Sequence, residues 1–197
     1  VQSLTAQITW THNIEILRVK SKEQRLWYIN KTIENGWSVN VLAHQIDTNL
    51  YARQIEQNKV SNFSTKLPSP QNELVLETMK DPYVFDFIEL KEDAKEKDLE
   101  DALINNIAKV LLELGKGFAY VGNQYHLEVA GEDYYIDLLF YNIKLKCYVV
   151  IELKIGEFKP EYAGKLSFYL TEIDEQVKEV NDNPTIGLLL CRHKNNV

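Results

Sequence analysis

Three apolar runs follow one another with only short gaps: "FAYVGNQYHLEV" (118–129), "DYYIDLLFY" (133–141) and "KCYVVIELK" (146–154). They are rich in β-branched and aromatic residues, and the gaps carry Gly131 and Asn142, so they read as strands joined by tight turns. Asp98 is placed to cap a preceding helix that runs through Leu114 and ends at Gly115 and Gly117. Pro160 opens a following helix, with Tyr162, Leu166, Tyr169, Ile173 and Val177 at helical spacing. "TIGLLLC" supplies a fourth strand. The order helix, three strands, helix, strand predicts an α/β sandwich, αβββαβ, around a mixed sheet.

Inside those apolar runs stand Asp137, Glu152 and Lys154. Side chains alternate along a strand, so Glu152 and Lys154 share one face while Ile151, Leu153 and Ile155 take the other. A hairpin between the second and third strands brings Asp137 beside Glu152. Two carboxylates at such range repel, and partial burial adds to the cost. A hard divalent cation, Mg²⁺ or Mn²⁺, removes the conflict by taking both as oxygen ligands. Lys154 beside such a site stays protonated and serves to orient water and stabilise developing phosphorane charge. Glu100, on a helical stripe with Leu103, Ile104 and Ile107, can reach over the sheet to complete the coordination directly, to bind a second metal or to act through water. The plain alternative is an ion pair between Glu152 and Lys154, or an exposed sheet face.

The first part of the chain reads differently. "SKEQRLWYINKTIEN" sets Leu26, Ile29 and Ile33 at helical spacing and stops at Gly36. Ser38 caps "VNVLAHQIDTNLYARQ", with Val39, Leu42, Ile46 and Leu50 on one stripe, and "LTAQITWTHNIEILRV" supplies a third helix. Trp10, Trp27 and Trp37 are the expected core. Helix, glycine turn, helix suits either a helix-turn-helix DNA binder or a dimerisation module. The predicted organisation is a small all-α domain over 1–60, a linker over 61–72 with Pro68 and Pro70, and an α/β domain over 73–197. The net charge of −7 divides unevenly: residues 1–70 hold eight Lys and Arg against five Asp and Glu, residues 71–197 fourteen against twenty-four. The helical part is therefore the expected carrier of electrostatic attraction to DNA.

Cys147 and Cys191 lie in apolar runs without a CxxC pair, which predicts buried thiols in a reducing cytoplasm. No apolar run approaches the ~20 residues of a membrane helix, and no secretory leader is visible.

"YYIDLLFYNIKLKCYVVIELKIGEFKPEYAGKLSFYL", with "NPTIGLLLC" downstream, closely resembles the nuclease domain of a bacterial family of PD-(D/E)xK proteins, whose superfamily includes restriction endonucleases and Holliday-junction resolvases. "ITWTHNIEIL" and "YINKTIENGWSVNVLAHQI" extend the resemblance over nearly the whole chain. It implies a restriction-endonuclease-like core and metal-dependent DNA cleavage. Asp137, Glu152 and Lys154 match the metal and water-positioning residues, and Glu100 the helix glutamate. Many superfamily members carry a Gln-x-x-x-Tyr pair on the next helix; here the pair is Lys165 and Tyr169, with Lys165 touching phosphate or pairing with Glu161. Gln124, His126 and Glu128 share one face of the first strand, and line the same cleft or face solvent; His126 is not assigned as a ligand. Family members continue past "CRHKNNV", so a fragment of a longer protein is expected. The leading expectation is a DNA endonuclease of genome defence, repair or mobile-element traffic. It would act as a homo-oligomer, with the N-terminal helices meeting DNA or a protein partner. The alternatives are a non-catalytic DNA-binding or assembly scaffold and a nuclease acting on RNA.

Overall fold

The structure, a computed structural model, describes residues 3–56, 62–80, 83–91 and 93–193. Residues 1–2 and 57–60 of the expected helical domain, Ser61 of the expected linker, and residues 81, 82, 92 and 194–197 of the expected α/β domain lie outside the described residues. The described residues divide into two compact units: those up to Asn62 with Leu76–Val84, and Phe63–Val75 with those from Phe85 onward.

In the first unit, three helices each start on a hydroxyl cap: α1 (Trp10–Leu17) on Thr9, α2 (Lys22–Asn35) on Ser21 and α3 (Val39–Asp47) on Ser38. Gly36 ends α2 in the left-handed region, φ 63°, where a Cβ would be strained. A 3₁₀ turn (Leu4–Gln7) precedes α1 and a π turn (Ala52–Glu56) follows α3. Ile16, Val19, Tyr28, Ile29, Leu42, Leu50 and Tyr51 form the core, with Trp27 and Trp37 packed at its margin. Trp10 is not part of it: it is 76 % exposed at the first position of α1, whose buried residues are His12 and Ile16. Leu26 and Ile33 are likewise exposed, and the buried face of α2 runs through Tyr28, Ile29 and Thr32. The Tyr28 hydroxyl explains the rotation, since it donates to the Gln45 carbonyl at 3.3 Å and accepts from the Tyr51 amide at 3.2 Å. The third helix ends at Asp47 rather than Gln54, because Asn49 turns left-handed at φ 50°.

Two short helices, α4 (Phe63–Lys66) and α5 (Gln71–Thr78), occupy much of the segment read as a linker. Gln71 is buried and donates to the Pro184 carbonyl at 2.9 Å. The single helix expected from Asp98 to Leu114 is two, α6 (Glu96–Asn105) and α7 (Ile107–Leu114), broken where Asn106 leaves helical geometry. Asp98 caps from inside the first turn, its carboxylate accepting from the Lys95 amide at 2.7 Å.

Then come β1 (Phe118–Val129), β2 (Glu132–Asn142), β3 (Cys147–Glu157), α8 (Pro160–Gln176) and β4 (Ile186–His193). The strands lie in the order β1-β2-β3-β4, with β3 and β4 parallel and the other pairs antiparallel. This is the predicted mixed sheet, with α8 making the crossover that a parallel pair needs. On one face Leu127, Ile136, Leu139 and Val150 pack with Tyr169 and Ile173 of α8. Gly187 of β4 lets α8 come close, for a Cβ there would meet Leu166 at 2.8 Å. α6 packs on β3 and α7 on β1. Leu138, Phe140, Val149, Ile151 and Leu153, of opposite parity, are also buried, so β2 and β3 read as near-continuous apolar runs. Among the described residues no helix is long and apolar enough to cross a membrane.

Candidate active site

The β2–β3 ladder runs from Asn142 opposite Cys147 to Leu138 opposite Ile151. One step further, the Leu153 amide donates to Asp137 Oδ2 at 2.8 Å. A carboxylate thus takes a hydrogen bond from β3 just past the last paired residues of the ladder. Glu152 and Lys154 share the parity of Val150, and so belong to the face of β3 that packs against α8.

Glu152 has no exposed surface. Its Oε1 meets two ammonium groups, Lys165 Nζ at 2.5 Å and Lys154 Nζ at 3.1 Å. Its Oε2 is buried with no hydrogen-bond partner. Lys154 also donates to Glu96 Oε2 at 2.9 Å and to the Leu153 carbonyl at 2.8 Å, and its ammonium stands 5.5 Å from the Tyr162 ring centre. Burial pulls the Lys154 pKa down, but the hydrogen bonds and charges of Glu96 and Glu152 outweigh it and hold the group above its ordinary value. Lys165 is raised by the same balance, burial opposed by Glu152. Both lysines are therefore charged at neutral pH. Burial pushes Asp137 above the usual carboxylate range; the Leu153 amide opposes this, Glu152 adds to it, and Lys165 and Lys154 oppose it.

Glu100, buried on α6, accepts from Asn123 Nδ2 at 3.2 Å and from Gln124 Nε2 at 2.7 Å. Gln124 adopts φ 44°, left-handed backbone that costs a non-glycine residue about 1–2 kcal/mol. It follows a register irregularity between Tyr120 and Gly122 and sits between the paired residues Asn123/Leu138 and Tyr125/Ile136, level with Asp137. Such a conformation persists only where surrounding contacts hold it, and the bond to Glu100 is one of them. A pocket of about 450 Å³ is lined by Glu96, Lys97, Glu100, Asp101, Asn123, Gln124 and Asp137. Its four carboxylates against one ammonium make it attractive to cations.

Asp137 and Glu100 thus line one pocket, while Glu152, Lys154 and Lys165 are joined by ion pairs. Lys165 pairs with Glu152, not with Glu161. Tyr169 is a core residue, 2 % exposed, whose hydroxyl donates to the Tyr135 carbonyl at 2.8 Å. His126 pairs with Asp133 at 2.6 Å on the exposed surface. Gln124 reaches the pocket without it, because left-handed backbone interrupts the strand's alternation. Glu96 and Asn123 were not anticipated. The signal for Glu96 was its spacing, one helical turn before Glu100. Among the described residues no three His, Cys, Asp or Glu side chains are close enough together to hold a metal ion. Two carboxylates and a buried free oxygen still suit Mg²⁺, which is usually bound through one or two carboxylates, with waters and substrate phosphates completing its shell.

Residues 76–197 match the family described as the YhcG PDDEXK nuclease domain, and residues 1–53 match the DUF1016 N-terminal domain. An Escherichia coli (strain K12) protein named "Putative nuclease YhcG" is 36 % identical over 182 residues, covering 92 % of this chain and 48 % of that protein. The chain therefore spans about half the length of that relative. A distant likeness exists to the crystal structure of a repair endonuclease from Pyrococcus abyssi, with a TM-score of 0.38 and 16 % identity over 55 % of this chain and 42 % of that one. By the match of its α/β part, this chain belongs to the YhcG PDDEXK nuclease family.

Proposed function

We propose that the chain is a nuclease that hydrolyses phosphodiester bonds in DNA with the help of Mg²⁺ or Mn²⁺. The observation that carries this reading is Glu152: fully buried, bonded through one oxygen to two ammonium groups, and left with an unpartnered second oxygen. Asp137 and Glu152 would hold the cation, with Glu100 contributing from the pocket's other side. When bound, it would supply Lewis-acid polarisation of the scissile phosphoryl group. Lys154, fixed by Glu96 and the Leu153 carbonyl, presents a permanent positive charge to the oxygens that become negative as water adds to phosphorus. Asn123 and Gln124 keep the Glu100 carboxylate in one orientation. The P–O bond to one sugar then breaks, leaving one strand end with a phosphate and the other with a hydroxyl.

In this reading residues 73–197 form the nuclease domain and act in the cytoplasm, where DNA is found. A helical domain over 1–60 precedes them and brings the site to DNA. The test is to incubate the 197-residue chain with linear, branched and single-stranded DNA and with RNA, in Mg²⁺, Mn²⁺ or EDTA. Cleavage of DNA that EDTA stops and Glu152→Gln abolishes is the expected result. Cleavage of RNA alone reassigns the substrate. Tight DNA binding with no cleavage of any substrate makes the fold a scaffold.

A further inference from the structure

The two ammonium groups on Glu152 are not equivalent. Lys154 Nζ has three donors, and three acceptors surround it: Glu96 Oε2 at 2.9 Å, the Leu153 carbonyl at 2.8 Å and Glu152 Oε1 at 3.1 Å. Its side chain is 10 % exposed. Lys165 reaches the same oxygen at 2.5 Å from α8, with 45 % of its side chain exposed, and its ammonium also stands 5.2 Å from the Tyr169 ring centre. Lys154 is therefore held from three sides, whereas Lys165 is held by Glu152 and a ring face at the solvent boundary.

Local repulsion decides what happens next. Without metal, Glu152 Oε1 carries both ammonium groups, and Lys154 is shared with Glu96. A divalent cation on the free Glu152 Oε2 would stand beside two ammonium groups on the sibling oxygen and be repelled by both. One must leave, and the less bonded, more exposed group is Lys165.

We propose that Lys165 is a built-in stand-in for the metal. Its ammonium neutralises Glu152 in the metal-free protein, leaves that carboxylate when a divalent cation enters, and is then carried by α8 at the solvent boundary, where it pairs with a substrate phosphate. This rests on the metal-dependent reading of the same site and adds an exchange step to it. Binding of metal thereby frees a phosphate-binding group, so metal and nucleic acid bind cooperatively through a single side chain.

The experiment is Mn²⁺ titration calorimetry on the full chain without nucleic acid, comparing wild type with Lys165→Met, Lys165→Gln, Lys165→Arg and Glu152→Gln. Removing a competing cation should tighten Mn²⁺ binding in the Met and Gln variants, within the span of roughly 5–150-fold usual for coupled binding. Lys165→Arg, which keeps the charge, should bind Mn²⁺ no more tightly than wild type. With non-cleaving Ca²⁺ present, Lys165→Met should bind duplex DNA more weakly, with a salt slope smaller by about 0.9. Unchanged or weaker Mn²⁺ affinity in both neutral variants, with binding still lost in Glu152→Gln, overturns the stand-in while sparing the metal site. Tighter Mn²⁺ binding with unchanged DNA affinity overturns the phosphate half of the proposal. Wild type and Glu152→Gln that bind Mn²⁺ alike, or not at all, overturn both the site and the stand-in.

Discussion

The helical unit and the sheet unit both bury polar side chains, but they use them differently. In the helices the buried groups are mostly neutral and join elements: the Tyr28 hydroxyl bridges the Gln45 carbonyl and the Tyr51 amide, and Thr32 donates to the Tyr28 carbonyl at 2.7 Å. One neutral atom there, Gln45 Oε1, lacks a partner. In the sheet unit the buried groups include Glu100, Glu152 and Lys154, and beside the neutral Gln71 Oε1, Asn142 Nδ2 and Thr185 Oγ1 the partnerless atoms include a carboxylate oxygen, Glu152 Oε2. An unmet neutral amide costs about 1–3 kcal/mol, whereas a buried charge costs several more unless it is paired. A fold needing only a filled sheet would be served by Leu or Val at 152. The helical unit spends its polar groups on architecture; the sheet unit carries charges that architecture does not require.

The sharpest way to break this contrast is to neutralise the two central carboxylates in turn. Glu152→Gln and Asp137→Asn should each lower cleavage by roughly 10²–10³-fold or more, read as the rate of product formation in Mg²⁺. Their effects on the metal-free protein should have opposite sign. Glu152 holds Lys154 and Lys165, so its loss strands buried positive charge and costs about 3 kcal/mol. Repulsion between carboxylates would suggest a gain at both positions; the two ammonium groups on Glu152 remove that expectation there. Asp137 is raised by burial, so its folded pKa exceeds its unfolded one. Charging it therefore costs stability, and the loss sets in as pH rises from the ordinary carboxylate value through the raised one. Asp137→Asn, whose amide oxygen can still accept from the Leu153 amide, should melt higher than wild type at neutral pH. Two variants that shift melting the same way would mean that the two carboxylates share one electrostatic environment.

Lys154→Ala sharpens the catalytic half of the contrast. It should keep a Mn²⁺-dependent rise in melting temperature and yet lose about 10²-fold in turnover, because the charge that meets the developing anion is gone. Lys154→Arg should rescue poorly, since a planar guanidinium cannot occupy the place of a compact ammonium held on three sides. Full turnover in Lys154→Ala would reduce the lysine to a structural partner of Glu152 and Glu96. In the helical unit the matching test is Tyr28→Phe. It removes the hydroxyl that links the Gln45 carbonyl and the Tyr51 amide and should cost about 0.5–1.5 kcal/mol, seen as a lower melting temperature with unchanged turnover per folded molecule.

What could be read from the sequence was governed by the range of the interactions involved. The strands, the mixed sheet and the common face of Glu152 and Lys154 follow from alternation, a property of neighbouring residues, and they are present as expected. The cap at Ser38 and the stop at Gly36 are equally local. The misreadings concern which side of an element meets a neighbour. Trp10 has the right composition for a core but sits on the outward side of α1, and Tyr28 replaces Leu26 because its hydroxyl has partners on α3 and at Tyr51. The Glu96–Lys154 pair spans 58 residues, and no pattern within either segment points to the other. Lys165 was singled out by its position, but its partner depended on how α8 lies over β3.

The smallest expected effect concerns the charge of the helical unit. Of Arg18, Lys20, Lys22, Arg25, Lys31 and Arg53, basic residues of the helical part, four are engaged within it. Arg18 pairs with Glu15 and Asp47, Arg25 donates to the Val19 carbonyl, Lys31 pairs with Glu34, and Arg53 donates to Thr48. Lys20 and Lys22 are exposed at the start of α2. Lys22 occupies the first position of that helix, where the helix dipole disfavours a cation by about 0.3–1 kcal/mol. A phosphate arriving there would satisfy both the lysine and the free amides of the first turn. Each phosphate contact contributes about −0.9 to the slope of log affinity against log salt. The double variant Lys20→Gln, Lys22→Gln should thus flatten the slope for duplex DNA by about 1.8, with its melting temperature at or slightly above that of wild type. An unchanged slope would assign these helices to assembly, with a second copy or another protein as their partner. DNA would then be drawn to the sheet unit, against the −10 balance of residues 71–197, by the metal and Lys165 alone.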